Sequence, residues 1–246
     1  MLREILVLGL IVVVGTVARS AAQPVSTSGR VGAVKLMALT YDDGPTAATS
    51  RILDVLKKRN AKATFFPIAG HVREDPAVMR RMASEGHAIG NHTMSHLRLT
   101  EMSPDAARAE IEGANDLLTE VTGQKPTVFR PPYAALNDSV RDILRSNGLA
   151  IIMWSIYPER LAFNATMVRD RVVEGARDGD IVFLHDTSSQ AVEATEGIVD
   201  ELSSKGFEFV TVPELIRRRG TFSPGSTYET GCGNRLLIDG HQISIF

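Results

Sequence analysis

Thr40-Tyr41-Asp42-Asp43-Gly44-Pro45 sets two carboxylates where an apolar stretch stops and a turn begins. Residues 34–41 are apolar enough for a buried strand, and Gly44-Pro45 supplies the turn that ends it. Adjacent side chains near a strand end point in different directions, so Asp42 and Asp43 are suited to two tasks rather than one. Taken alone, Asp-Asp-Gly is an ordinary polar turn. Its significance depends on what the rest of the chain brings beside it.

Outward from this point, strand-like and helix-like segments alternate. Strands are expected at 36–41, 63–66, 88–90, 127–129, 149–154, 180–184 and 207–210. Amphipathic helices are expected at 50–58, 77–85, 104–121, 138–146, 166–177 and 192–204. Ser103-Pro104 opens one helix, and Gly123, Gly148 and Gly206 follow others. Such alternation predicts an α/β fold with a parallel sheet, and roughly seven strands in one series favour a closed or nearly closed barrel. In parallel α/β folds the strand C-termini and the loops after them share one mouth. Asp42 and Asp43 follow the first strand, His92 and His96 the third, Arg130 and Tyr133 the fourth, and His185 the sixth. All of them fall on one predicted rim.

The chain has 246 residues, 43% of them hydrophobic and 23% charged, enough to bury one sizeable core. A formal net charge of -2 provides no basic field for gripping phosphate backbones, so nucleic acid is not expected as a partner. Cys232 is the sole cysteine, which excludes an intramolecular disulfide.

At the N-terminus Arg3 precedes an apolar run over 5–17, followed by Ala18-Arg19-Ser20-Ala21-Ala22. That is the pattern of a secretory signal over residues 1–22, and the run is shorter than the roughly 18–20 apolar residues of a spanning helix. Glu4 weakens the positive start, so an uncleaved N-terminal anchor is the alternative. Export to the periplasm or the exterior is expected, with no stable membrane partner once the signal is removed. Residues 23–33 form a linker, 34–220 the main domain, and 221–246 a tail rich in Gly, Ser and Thr with no assigned role.

His92-Thr93-Met94-Ser95-His96 places two imidazoles four residues apart, which on a helical turn brings them to one face at chelating distance. With one carboxylate they make a two-His, one-carboxylate set. Three protein ligands leave positions open for water and a substrate oxygen, as a catalytic metal requires. A zinc-like ion would lower the pKa of its water from 15.7 to about 7.

Four segments in this order, Thr40-Tyr41-Asp42-Asp43-Gly44, His92-Thr93-Met94-Ser95-His96, Arg130-Pro131-Pro132-Tyr133 and Phe183-Leu184-His185-Asp186, resemble the successive motifs of the polysaccharide deacetylase family, carbohydrate esterase family 4. The resemblance spans about residues 36–219. It implies a deformed (β/α) barrel, one divalent metal ion, and hydrolysis of acetyl groups from N-acetylated sugars. Zinc is the expected ion, with cobalt, manganese or nickel as alternatives, and an N-acetylated glycan is the expected partner. Carried over by position, Asp42 is the general base, Asp43 with His92 and His96 binds the metal, and His185 is the general acid. Arg130 resembles the residue that holds the base carboxylate. In Arg130-Pro131-Pro132-Tyr133 neither proline has an N–H, so the first backbone donor is that of Tyr133, matching the family's oxyanion stabiliser. Tyr133, Pro132 and Trp154 are expected to line the substrate groove.

One segment departs from the family pattern. Where two aspartates and a tryptophan are usual after the fifth strand, this chain has Tyr157, Arg160 and Leu161. The missing aspartate would support a protonated catalytic histidine, since a nearby negative charge favours imidazolium. His185 is therefore expected to lose its proton at lower pH than its counterparts unless Glu159 or Asp186 substitutes.

Overall fold

The computed structural model describes residues 34–231. The signal or anchor over 1–22, the linker over 23–33 and Cys232 lie outside the described residues. Among the described residues, eight strands alternate with seven α-helices. The strands are β1 (Lys35–Asp42), β2 (Ala63–Phe66), β3 (Ala88–Ile89), β4 (Val128–Phe129), β5 (Ala150–Ile152), β6 (Asp180–His185), β7 (Phe207–Phe209) and β8 (Thr227–Tyr228). The helices are α1 (Ala47–Lys58), α2 (Pro76–Ser84), α3 (Pro104–Thr122), α4 (Asp138–Ser146), α5 (Ala165–Gly175), α6 (Ser189–Ser204) and α7 (Val212–Arg219).

All named strand pairs are parallel and form two sheets, β3-β2-β1-β6 with β7 against the start of β1, and β4-β5-β8. Single parallel bridges join the two sheets, Asn91 to Phe129 beyond β3 and Ile156 to Val182 beyond β5. The strands therefore run in sequence from β1 to β6 and return to β1. Because two of the seams consist of isolated bridges rather than full ladders, the closed barrel is deformed.

β1 shows how the sequence builds this arrangement. Its side chains alternate between two surfaces, as a pleated strand requires. Met37, Leu39 and Tyr41 enter a core shared with Ile52 and Leu56 of α1 and Ile198 and Leu202 of α6. Leu36 and Ala38 join an inner cluster with Phe66, Val128, Ile152 and Ile181. Each fully buried aliphatic side chain of this kind contributes about 1.5–3 kcal/mol. Thr40 and Asp42 continue the inner row, so the periodicity that buries Leu36 also directs Asp42 into the barrel's mouth.

Helix boundaries follow local chemistry. α1 begins three residues before the expected start because Thr46 and Thr49 form a capping box, the Thr46 side chain accepting from Ala48 and the Thr49 hydroxyl accepting from the Thr46 N–H. Ser103 caps α3 ahead of Pro104, and Gly123 ends it at φ 73°, where a side chain would be strained. The expected tail over 221–246 begins instead as part of the fold: β8 pairs with β5, and buried Tyr228 donates its hydroxyl to the Thr221 carbonyl at 2.7 Å. Two strand residues among Gly and Ser carry no readable periodicity, which is why the sequence did not announce them.

Candidate active site

The rim residues expected from sequence come together at the C-terminal ends of β1, β3, β4 and β6. Asp42 ends β1, fully buried, and its Oδ1 accepts from Arg130 Nη1 at 2.7 Å. Arg130 is itself buried, and its remaining donors go to Thr40 Oγ1 at 2.8 Å and the carbonyls of Ile152 and Met153 at 3.2 and 3.1 Å. Its plane lies over Phe66, 4.4 Å from the ring centroid, and over Phe183 at 5.1 Å. A guanidinium this fully engaged is a rigid mount for the carboxylate. Burial pushes the Asp42 carboxyl above its ordinary range, although Arg130 and the neighbouring imidazoles pull the other way.

Asp43 turns away from Asp42 because its backbone enters the left-handed region at φ 77°. Its Oδ1 lies 3.6 Å from Nε2 of both His92 and His96, and one ligand atom from each of the three falls within 4.8 Å of the others. That same Oδ1 is buried and makes no hydrogen bond, an arrangement that disfavours an isolated carboxylate and suits a cation. Nδ1 of His92 donates to the Arg130 carbonyl at 2.7 Å, which leaves Nε2 with its lone pair toward Asp43. Burial drives the His92 pKa down to about 3, keeping the ring neutral as ligation requires. The donor set therefore fits a divalent ion. Asp42 Oδ2 is also 3.6 Å from His92 Nε2, but Arg130 occupies its other oxygen, whereas Asp43 has no such partner.

The helical turn expected for residues 92–96 is not what forms. The segment is a loop, with Thr93 at φ 68° and His96 at φ 56°. Asn91 Oδ1 accepts from the Thr93 N–H at 2.7 Å, and Thr93 Oγ1 accepts from the His96 N–H at 2.9 Å. These side-chain bonds replace helical ones and still bring the imidazoles together, with ring centroids 4.8 Å apart.

Tyr133 packs edge-on against His96 at 4.8 Å, is 60% exposed, and adopts φ 58° directly after the buried Pro132. Across the mouth, Trp154 stacks on Phe183 at 4.3 Å, and Tyr157 leans on the same ring at 4.7 Å. Exposed aromatic faces on both sides of a polar centre are suited to the apolar faces of sugar rings.

His185 ends β6 with Nε2 3.9 Å from Asp43 Oδ2. On its other side Nδ1 lies 2.5 Å from Glu159 Oε2. Burial alone would lower its pKa, but the hydrogen bond and charge of Glu159, with Asp42 and Asp43, reverse this and raise it. Of the two acids that could substitute for an aspartate at Tyr157, Glu159 is the one that reaches His185. Glu159, in a short 3-10 turn (Glu159–Leu161), supplies the missing charge from a different position in the chain. Asp186 does not serve this purpose: Oδ2 accepts from Thr49 Oγ1 at 2.5 Å, and burial raises its pKa to about 7. The sequence contained both acids and no local signal to choose between them.

A family model described as polysaccharide deacetylase matches residues 30–152. The peptidoglycan-N-acetylglucosamine deacetylase PgdA of Listeria monocytogenes is 39% identical over 183 residues, covering 74% of this chain. The chain spans only 39% of that relative's own length. A peptidoglycan-N-acetylglucosamine deacetylase of Bacillus cereus is 36% identical over 190 residues, covering 74% of this chain and 89% of the relative. Among solved structures, a family 4 acetyl xylan esterase of Clostridium thermocellum in complex with a cobalt ion superposes with a TM-score of 0.74 at 34% identity, covering 80% of this chain and 98% of the other.

Proposed function

The chain belongs to the polysaccharide deacetylase family, and from that premise we propose that it is a metal-dependent hydrolase releasing acetate from N-acetylglucosamine residues of an extracytoplasmic glycan. The observation that carries this reading is the convergence of three groupings on one mouth: Asp43 with His92 and His96, Asp42 with Arg130, and His185 with Glu159. A bound divalent ion would supply Lewis acidity and lower the pKa of water toward neutrality. Zinc is the expected ion, held by Asp43, His92 and His96.

The chain's own residues account for the proton movements. Asp42, off the ligand set and held by Arg130, takes a proton from the attacking water. Oxygen then adds to the acetyl carbon, and the Tyr133 N–H donates to the oxyanion that develops there. An amide nitrogen departs poorly as an anion, so His185 gives it a proton from Nε2 while Glu159 holds the other ring nitrogen. The carbon–nitrogen bond breaks, leaving acetate and a free amine. Trp154, Pro132 and Tyr133 line the groove in which the sugar lies.

The apolar N-terminal run and the peptidoglycan substrates named for the relatives support an exported protein. Acetyl ester hydrolysis is the second reading, favoured by the similarity to an acetyl xylan esterase. Acetate release from peptidoglycan, N-acetylated chitin oligomers and acetylated xylan, with and without chelator, separates the two. Release from the first two that stops with chelator supports the proposal. Release from xylan alone supports the ester reading, and chelator-insensitive release would overturn the metal assignment. The departure at Tyr157, Arg160 and Leu161 also raises the reading of a glycan-binding protein without turnover, which is disfavoured because the same segment contains Glu159, the partner of His185.

A further inference from the structure

We propose that Glu110, on α3 and outside all four motifs, is a positioning residue for the metal-binding loop, setting the affinity of the site through Ser95. The proposal rests on the assignment of Asp43, His92 and His96 as ligands. The loop from His92 to His96 contains two non-glycine residues at positive φ, one of them β-branched Thr93. Such a backbone persists only where its surroundings over-determine it.

The surrounding bonds can be followed one by one. Ala69 donates its N–H to the Thr93 carbonyl at 3.0 Å, and Gly70 donates to the Met94 carbonyl at 2.8 Å. A Cβ on Gly70 would sit 2.8 Å from that carbonyl oxygen, so only glycine permits the approach. The start of the loop is tied to α3 through Asn91, whose Nδ2 donates to the Ile111 carbonyl and to Asn115 Oδ1, both at 2.8 Å. Its far end is tied to the same helix by Glu110. Oε2 accepts from the Ser95 N–H at 2.9 Å and Oε1 from the Ser95 hydroxyl at 2.7 Å.

Among these contacts Glu110 alone brings an ionisable side chain, and it engages both donors of the residue next to His96. Charge-assisted, two-point hydrogen bonds are stronger and more directional than neutral single ones. Capturing the Ser95 N–H orients the Met94–Ser95 peptide, one residue ahead of His96, while the Asn91 bonds fix the approach to His92. One helix thereby holds the loop at both ends, a rigid base for ligands that must keep their spacing before the ion arrives. Groups supporting metal ligands from outside the coordination shell typically govern affinity by about 10–100-fold.

The test is Zn2+ affinity of the metal-stripped protein, measured by competition with a chromophoric chelator, together with thermal unfolding of the metal-free form. Glu110→Ala, which breaks both bonds, should raise the Kd for Zn2+ by about tenfold, and Ser95→Ala, which keeps the backbone N–H, should raise it by less. The double variant should be no worse than Glu110→Ala, since removing the carboxylate already breaks both bonds. Glu110→Gln, which keeps an acceptor and the shape but not the charge, should fall between parent and Glu110→Ala. A Kd in Glu110→Gln as high as in Glu110→Ala, although the amide oxygen still accepts, would mean that the charge acts through its field rather than through the two bonds, and would overturn the clamp. Lower thermal stability with parental Kd in all variants would reduce Glu110 to a structural residue and overturn it equally. His96→Ala keeps the two assignments apart: lost Zn2+ binding there with parental Kd in the Glu110 variants refutes the clamp alone, whereas retained binding in His96→Ala refutes the ligand set.

Discussion

Glu159 and His185 are joined twice: Oε2 of the carboxylate lies 2.5 Å from the ring Nδ1, and Oε1 accepts the His185 backbone N–H at 3.1 Å. The double contact fixes the ring's orientation and places a negative charge where imidazolium would form. Nε2 is left facing the mouth. The pair is built from residues 26 apart in sequence, with Glu159 two residues beyond Tyr157.

This pair determines an expected pH dependence. Burial lowers the His185 pKa, Glu159 and the two aspartates raise it, and the net direction is up. A general acid works while protonated, so a raised pKa carries activity to higher pH before it is lost. Glu159→Gln removes the largest raising contributions and should move the alkaline limb of kcat/KM to lower pH. Tyr157→Asp should leave that limb in place, because Glu159 already fills the role. Profiles for the parent and both variants check this, and an upward shift in Tyr157→Asp would contradict it.

Asp42→Asn should separate binding from chemistry. The amide preserves the shape but cannot take the proton, so turnover should fall by about 10²–10⁴-fold. Metal content, measured by elemental analysis, should stay at the parental level, since Asp43, His92 and His96 are untouched. Lost metal in this variant would mean that the two aspartates have exchanged roles.

Arg130→Ala should cost stability as well as activity. It strips the buried Asp42 of its charge partner and leaves the Ile152 and Met153 carbonyls without their donors. Breaking a buried ion pair from one side costs about 3–5 kcal/mol, which urea unfolding would detect as a lowered midpoint with an unchanged m value. Restoring the stability but not the turnover with the double variant Arg130→Met/Asp42→Leu would confirm that the loss comes from the orphaned charge.

Gly44→Ala should disturb the turn after the two aspartates. An added Cβ would lie 2.2 Å from Asp186 Oδ2, and Asp186 is held in place by Thr49. Overpacking of this kind costs about 1–3 kcal/mol. The effect should be smaller in an Asp186→Ala background, where the obstructing carboxylate is gone. Thermal unfolding of the four proteins measures this coupling.

Much of the fold was legible in the sequence because it rests on short-range chemistry. Apolar periodicity located β1 to β7 to within a few residues, and caps such as Ser103-Pro104 and Gly123 marked helix ends. Parallel alternation then implied a shared rim for Asp42, Asp43, His92, His96, Arg130, Tyr133 and His185. That inference needs only strand direction, a property each segment carries locally. The four-residue spacing of His92 and His96 is compatible with more than one backbone, and the bonds to Asn91 and α3 select the loop over the helical turn.

What the tertiary structure alone decided are pairings between segments with no mutual signature. Either Glu159 or Asp186 could have partnered His185, and the choice depends on where the turn after β5 lies against the end of β6 and where α1 begins beside Asp186. β8 is the same case on a smaller scale, two residues whose strand character exists only because the edge of β5 is open to them. The sequence determines which side chains are available and which way each strand runs. Packing in three dimensions determines which of those side chains meet, since a contact's energy depends on distance and burial rather than on separation along the chain.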